Sequence, residues 1–251
     1  MDAELARRAI ALLDLTDLTD DCTAEAIDSL CERATRYGTA AVCVWPDFVA
    51  QSSEALAGTG VRVATVVNFP SGDERPFAVG LVTERALADG AHEIDAVLPY
   101  TAFATDDRDR PSVMLERVRR ITDGNAVMKV ILETGELPDL DTVEQAARFA
   151  IEHGADFVKT STGKSPVSAT LPAAERMLEV IAASGRPVGI KPAGGIGTAD
   201  DAGEYIAVAE RIMGDGWVTP STFRFGASGL LNALLAASGE STPAGVQLGS
   251  Y

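Results

Sequence analysis

Lysine is scarce in this sequence. Of 21 basic residues only four are lysine, Lys129, Lys159, Lys164 and Lys191, and none precedes residue 129. Basic charge as a whole is short: 37 Asp and Glu leave a net charge of −16. Such a chain lacks the basic surface that nucleic acid or an anionic membrane needs, so neither is an expected partner. No run of about 18 apolar residues occurs, so no membrane span is expected. The start, Met1-Asp2-Ala3-Glu4, has no basic-then-apolar secretory pattern. Cys22, Cys31 and Cys43 are odd in number and lack metal-ligand spacing, which suits a reduced cytoplasm. His92 and His153 are the only histidines and neither sits in a ligand cluster, so no metal or other cofactor is expected. The acidic excess with lysine avoided reads as adaptation to high salt, where screening shortens the field of a charge to about 3 Å at 1 M. A genome composition favouring arginine would also suppress lysine.

What is present is a regular alternation. A short helix over residues 3–10 precedes apolar runs at 11–16, 40–45, 61–67, 92–98, 127–133, 156–159, 187–192 and 223–228, each followed by a helical pattern. Gly38, Gly90, Gly154 and Gly185 stand where helices should stop. Apolar strands alternating with amphipathic helices imply a parallel sheet covered on its outer face. Eight such units in 251 residues predict an α/β fold, the (β/α)8 TIM barrel, over an open doubly wound sheet. No Gly-x-Gly-x-x-Gly follows an early strand, which weakens the open-sheet alternative. No linker divides the chain, so residues 1–251 read as a single domain with a flexible C-terminal tail from about 239.

Within that frame the four lysines fall in or just after apolar strand-like runs, where a solvated cation is not expected. Lys159 follows Phe157 and Val158, and Thr160, Ser161, Thr162, Gly163 and Lys164 come next. Burying an ammonium without a partner costs several kcal/mol, and the usual response is a lowered pKa. The neutral amine that results is a nucleophile. The hydroxyls, glycine and second lysine that follow have the chemistry of an anion seat. Lys159 therefore reads as a Schiff-base lysine with an anion site beside it.

Barrel chemistry sits at the C-terminal ends of the strands. Asp14, Cys43, Asp95, Lys129, Lys159 and Lys191 should converge there. Lys191, on the neighbouring strand, would disfavour charge on Lys159, and Asp95 offers a carboxylate for proton relay. Other readings stay open. Asp14 could hold a loop, Cys43 could be a small core residue, and Lys129 could pair with Glu133 or Asp95, while Glu133 and Glu136 read as loop or ion-pair residues. The turns Gly194-Gly195-Ile196-Gly197 and Gly226-Ala227-Ser228-Gly229 follow strands seven and eight, where barrels hold phosphate on backbone amides.

These segments resemble the deoxyribose-phosphate aldolase family of class I aldolases. The resemblance runs in order through Leu13-Asp14-Leu15-Thr16, Val42-Cys43-Val44, Val67-Asn68-Phe69-Pro70, Glu93-Ile94-Asp95, Lys129 to Gly135, Val158 to Gly163, Lys191 to Ile196 and Arg224 to Ser228. It implies reversible cleavage of 2-deoxy-D-ribose 5-phosphate to D-glyceraldehyde 3-phosphate and acetaldehyde, in deoxyribonucleoside catabolism. By analogy Lys159 forms the Schiff base, with Lys191, Asp95 and the C-terminal Tyr251 in proton transfer. Asp14, Cys43, Lys129, Thr160, Gly163, Lys164, Gly194, Gly195, Gly226 and Ser228 are the implied substrate-binding residues. Gly197 departs from the family, many of whose members have a basic side chain there. A small phosphorylated sugar is the expected partner, and a homo-oligomer the expected assembly. The nearest rival is another Schiff-base lyase on this fold, a transaldolase or sugar-acid aldolase. A catalytically silent barrel that senses a phosphorylated metabolite is the rival of a different class.

Overall fold

The structure, a computed structural model, describes residues 1–240. Five of its helices begin where a side chain satisfies a free backbone group. Asp2, Thr23, Asp139, Thr170 and Thr198 each accept a backbone N–H at a helix N-terminus. Gly38 and Gly185 close helices in the left-handed conformation.

After α1 (Ala3–Ile10) come β1 (Leu13–Asp17), α2 (Ala24–Tyr37), β2 (Ala41–Val44), a 3₁₀ turn (Pro46–Phe48), α3 (Val49–Ala55), β3 (Arg62–Val67), α4 (Pro76–Ala88) and β4 (Glu93–Val97). The second half holds α5 (Tyr100–Ala104), α6 (Asp109–Thr122), β5 (Val127–Ile131), α7 (Leu140–Glu152), β6 (Phe157–Lys159), α8 (Leu171–Ser184), β7 (Gly189–Lys191), α9 (Ala199–Met213), β8 (Phe225–Ala227) and α10 (Leu230–Ser238). All eight strands pair in parallel, in the order β7-β6-β5-β4-β3-β2-β1-β8. Bridges between Ile190 and Phe223 and between Ala193 and Gly226 join β7 to the β8 side. The result is the expected (β/α)8 barrel.

Three details differ from the sequence reading. Strand β1 starts two residues later than the apolar run at 11: the Leu12 amide still bonds back to Ala9 in the last turn of α1, although its carbonyl already accepts from Phe225 N on the β8 side. A short helix, α5, lies between β4 and α6, an element beyond the one helix expected after each strand. Strands β6, β7 and β8 are three residues each, shorter than their apolar runs. The expected tail and Tyr251 lie outside the described residues.

Successive side chains of a strand face opposite ways. Outward residues such as Val42, Val44, Ile94, Ala96, Met128 and Val130 join the main core beneath the helices. The barrel interior is divided. A small apolar cluster of Leu18, Cys43, Ala64 and Val66 fills one side. The other side holds charge: Asp14, Glu93, Asp95, Lys129, Lys159 and Lys191 are all at most 1% exposed.

Candidate active site

Strand register sets the site. Asp95 on β4 lies opposite Lys129 on β5, and Lys159 on β6 lies opposite Lys191 on β7. Lys129 Nζ donates to Asp95 Oδ1 at 2.7 Å, whereas Lys159 and Lys191 both donate to Asp95 Oδ2, at 3.0 and 2.8 Å. One carboxylate thus gathers three lysines. Beneath it, Lys191 lies 2.5 Å from Asp14 Oδ2, and Lys129 lies 2.6 Å from Glu93 Oε2. Arg224 closes the floor by bridging Asp14 Oδ1 at 2.5 Å and Glu93 Oε1 at 3.1 Å.

The charge count of this network is informative. Asp14, Glu93 and Asp95 supply three negative charges, and Lys129, Lys159, Lys191 and Arg224 supply four positive ones, all on side chains at most 6% exposed. Desolvating a charge costs several kcal/mol after relaxation, so an unmatched cation is the costly member. Lys159 is the one with fewest anions. Among the described residues it has an ion pair with Asp95 alone, while Lys191 has two partners and Lys129 three.

The proton affinities follow that asymmetry. Burial lowers the pKa of Lys159, Asp95 opposes the shift, and Lys191 adds to it, with the net direction downward. Burial works against the charge of Lys191 too, but Asp14 and Asp95 outweigh it and hold Lys191 well above the usual lysine value. Burial likewise opposes the charge of Lys129, which Asp95 and Glu93 keep raised. Burial would push Asp95 up, but Lys129, Lys191 and Lys159 hold its carboxyl well below the usual range. The arrangement sets an amine of lowered proton affinity beside one of raised proton affinity, with a carboxylate touching both.

Cys43 is buried against this cluster, and burial raises its thiol pKa, so it sits there as an un-ionised wall residue. Of the two pairings open to Lys129, the one with Asp95 is found. Glu133 instead accepts from Thr162, two residues past Thr160. Asp14 is not a loop anchor but a counter-ion, which corrects the alternative left open for it.

Beside the lysines, the turns after β7 and β8 form a cup. Gly194, Gly195, Ile196, Gly197, Gly226, Ala227, Ser228 and Gly229 line a cavity of about 220 Å³. Gly194 needs to be glycine: its φ is 78°, and a Cβ would lie 2.7 Å from Ser168 Oγ and 3.1 Å from Gly163 Cα. That packing brings Gly163 beside the cup. Thr160 Oγ1 bonds the backbone of Ala193, accepting its N–H at 3.0 Å. Lys164, its side chain 29% exposed, lies 3.4 Å from Asp20. The sequence-predicted residues from β1, β4, β5, β6, β7 and β8 therefore meet at one end of the barrel.

Two residues of the network were not singled out from sequence. Arg224 and Glu93 were visible as charges inside apolar strands, the same signal that marked Lys159, but arginine and glutamate are common enough here to pass as surface residues.

The sequence and the fold have matches among known proteins. A profile described as DeoC/LacD family aldolase matches residues 8–236. The chain belongs to that family. It is a lyase, a class I aldolase. A deoxyribose-phosphate aldolase of Agrobacterium fabrum (strain C58 / ATCC 33970) is 52% identical over 235 residues, covering 92% of this chain and 91% of that protein. The apo crystal structure of a Toxoplasma gondii ME49 protein, provisionally assigned as a deoxyribose-phosphate aldolase, superposes with a TM-score of 0.86 at 27% identity, covering 94% of this chain and 97% of the other. The deoxyribose phosphate aldolase of Aeropyrum pernix, described as a tetramer, shares the fold, with a TM-score of 0.78 at 23% identity over 92% and 91% of the two chains.

Proposed function

We propose that this aldolase cleaves 2-deoxy-D-ribose 5-phosphate to D-glyceraldehyde 3-phosphate and acetaldehyde, reversibly, through a Schiff base on Lys159. The observation that carries the reading is the shared oxygen: Lys159 and Lys191 both bond Asp95 Oδ2, and Lys159 alone has its pKa lowered. In cleavage, the neutral Nζ of Lys159 adds to the aldehyde carbon of the open-chain sugar, and loss of water gives the imine. The hydroxyl on C3 then gives up its proton, the C2–C3 bond breaks, and glyceraldehyde 3-phosphate leaves. Its bonding electrons remain as an enamine on Lys159. Protonation at carbon gives the imine of acetaldehyde, which water hydrolyses to release acetaldehyde and the free amine. Asp95, in contact with both lysines, and the protonated Lys191 are the proton carriers of this scheme, with Tyr251 as a further one.

The cup of Gly194, Gly195, Gly226 and Ser228, with Gly163 and Lys164, is the proposed seat of the substrate phosphate. Backbone amides at glycines can approach an anion closely, and Lys164 supplies charge where Gly197 has none. Asp14, Cys43, Lys129 and Thr160 shape the sugar side of the site. The rest of the reading is a single-domain cytoplasmic enzyme of deoxyribonucleoside catabolism. Among the described residues no helix is long and apolar enough to cross a membrane. A homo-oligomer is part of the reading; Phe77 and Leu81, 69% and 49% exposed on α4, are apolar surface that an assembly would cover.

The test is intact mass after borohydride reduction with deoxyribose 5-phosphate or acetaldehyde, in wild type and Lys159→Ala. An adduct in wild type that disappears in the variant is expected. A folded wild type that forms none, at low and high salt, rejects the Schiff base and leaves a phosphate-binding barrel.

A further inference from the structure

Glu133 is fully buried two residues past the end of β5, with a left-handed φ of 55°. Its neighbours continue the β5–β6 ladder: Leu132 N donates to Lys159 O and Thr134 N to Thr160 O, both at 2.9 Å. Beyond Thr160 that ladder stops, and the Glu133 side chain takes over. Its carboxylate accepts from Thr162 N, at 3.2 Å to Oε2, and from the Thr162 hydroxyl. Thr162 Oγ1 in turn accepts from Lys164 N at 3.0 Å. The chain of donors runs Lys164 to Thr162 to Glu133, with the carboxylate as the final acceptor.

The opposite side of the same loop bears on the glycine cup. Gly163 packs against Gly194 so closely that a Cβ on Gly194 would come within 3.1 Å of Gly163 Cα. Gly135, in the turn after Glu133, meets the same loop farther along, where a Cβ would come within 2.1 Å of Val167 O. The segment 160–168 is thus clamped between the Glu133 turn and the Gly194 turn. Moving the Thr162 anchor would move Gly163 and Lys164 relative to the cup.

We propose that Glu133 is a positioning residue which, through Thr162, sets Gly163 and Lys164 against the Gly194–Gly195 turn and so determines recognition of the substrate's phosphate end. The inference rests on the reading of that cup as the anion seat. The competing role is on the amine, because the Lys159 charge is close enough to act on Glu133. The two roles differ in what they spare. A phosphate role spares a substrate with no phosphate, and a role on the amine does not.

The experiment compares Glu133→Gln, Thr162→Val and Thr162→Ser with wild type on deoxyribose 5-phosphate, on unphosphorylated 2-deoxyribose, and in binding of inorganic phosphate. Glu133→Gln and Thr162→Val should raise KM for the phosphorylated sugar and weaken phosphate binding by about tenfold, with kcat changed less than about threefold. kcat/KM for 2-deoxyribose should stay within about twofold, and Thr162→Ser should restore wild-type behaviour. Equal losses on both sugars with a displaced pH profile would overturn the inference in favour of the amine. Unchanged KM and phosphate affinity in both variants would overturn it outright. If one variant does not fold, the other is read against Thr162→Ser. Wild type that binds phosphate but cleaves neither sugar rejects the aldol reading while the phosphate titration still decides the role of Glu133. Wild type with no phosphate binding rejects the anion seat and this inference together, and leaves imine trapping to judge Lys159.

Discussion

Lys159 and Lys191 face each other across β6 and β7, and both ammonium groups point at a single oxygen, Asp95 Oδ2. Only Lys191 has a second anion, Asp14 at 2.5 Å. That one extra partner separates the proton affinities of two lysines that share strand level, burial and chemistry.

Replacing Lys191 with Met tests the asymmetry. Burial and then Lys191 lower the pKa of Lys159, against Asp95, so removing Lys191 moves it back toward the ordinary lysine value. The neutral fraction near pH 7 falls. The acid limb of the pH profile for borohydride trapping of acetaldehyde should shift to higher pH, and the trapping rate at pH 7 should drop about tenfold or more, each tenfold being about 1.4 kcal/mol. A limb displaced to lower pH would contradict the charge argument.

Asp95→Asn separates imine formation from carbon–carbon cleavage. Asp95 is an opponent of the lowered Lys159 pKa, so neutralising it leaves the amine at least as available. Proton transfer loses its carboxylate. Trapping of acetaldehyde should persist while turnover of deoxyribose 5-phosphate falls about 10²-fold or more, the usual weight of general acid–base catalysis. Parallel loss of both would assign Asp95 a purely structural role.

Much of this was legible in the sequence because lysine is so rare. With four lysines in 251 residues, one inside an apolar run is a strong signal, and Lys129, Lys159 and Lys191 all proved buried. The alternation of strands and helices set the barrel, and glycine turns after β7 and β8 marked the cup. Arg224, Glu93 and Glu133 were not legible as site residues. Their importance comes from which strand neighbours they meet, and pairing across a closed sheet joins residues as distant in sequence as Asp14 and Arg224. Glu133 reads from sequence as a loop or ion-pair residue, with Lys129 as a candidate partner, because the sequence does not reveal that its carboxylate meets Thr162 instead.

The net charge of −16 leads to a salt prediction. Excess carboxylates repel one another and repel a phosphorylated substrate, and both effects weaken as the screening length falls from about 10 Å at 0.1 M to about 3 Å at 1 M. KM for deoxyribose 5-phosphate should fall and the thermal midpoint should rise between 0.1 M and molar KCl. An activity optimum near 0.1 M would remove the high-salt reading and leave the lysine scarcity to genome composition.

Acid stability should report on the buried network directly. Burial would raise the carboxyls of Asp14, Glu93 and Asp95, but for Asp14 the cations Lys191 and Arg224, for Glu93 Lys129 and Arg224, and for Asp95 the three lysines hold them below the usual range. A carboxyl lowered in the folded state contributes stability that is complete above its unfolded value, about 4, and is lost as pH falls through the folded value. The urea midpoint should therefore be nearly flat between pH 7 and 5 and fall steeply below about pH 4. Arg224→Met sharpens the test, since Arg224 pairs with both Asp14 and Glu93. Breaking a buried pair from one side costs about 3–5 kcal/mol, so the variant should be weaker at pH 7. With Arg224 gone, Asp14 and Glu93 are depressed less, and less stability remains to be lost to acid. The gap between variant and wild type should narrow from pH 7 to pH 3. A gap that stays constant would mean that Arg224 stabilises through packing rather than through the charges of Asp14 and Glu93.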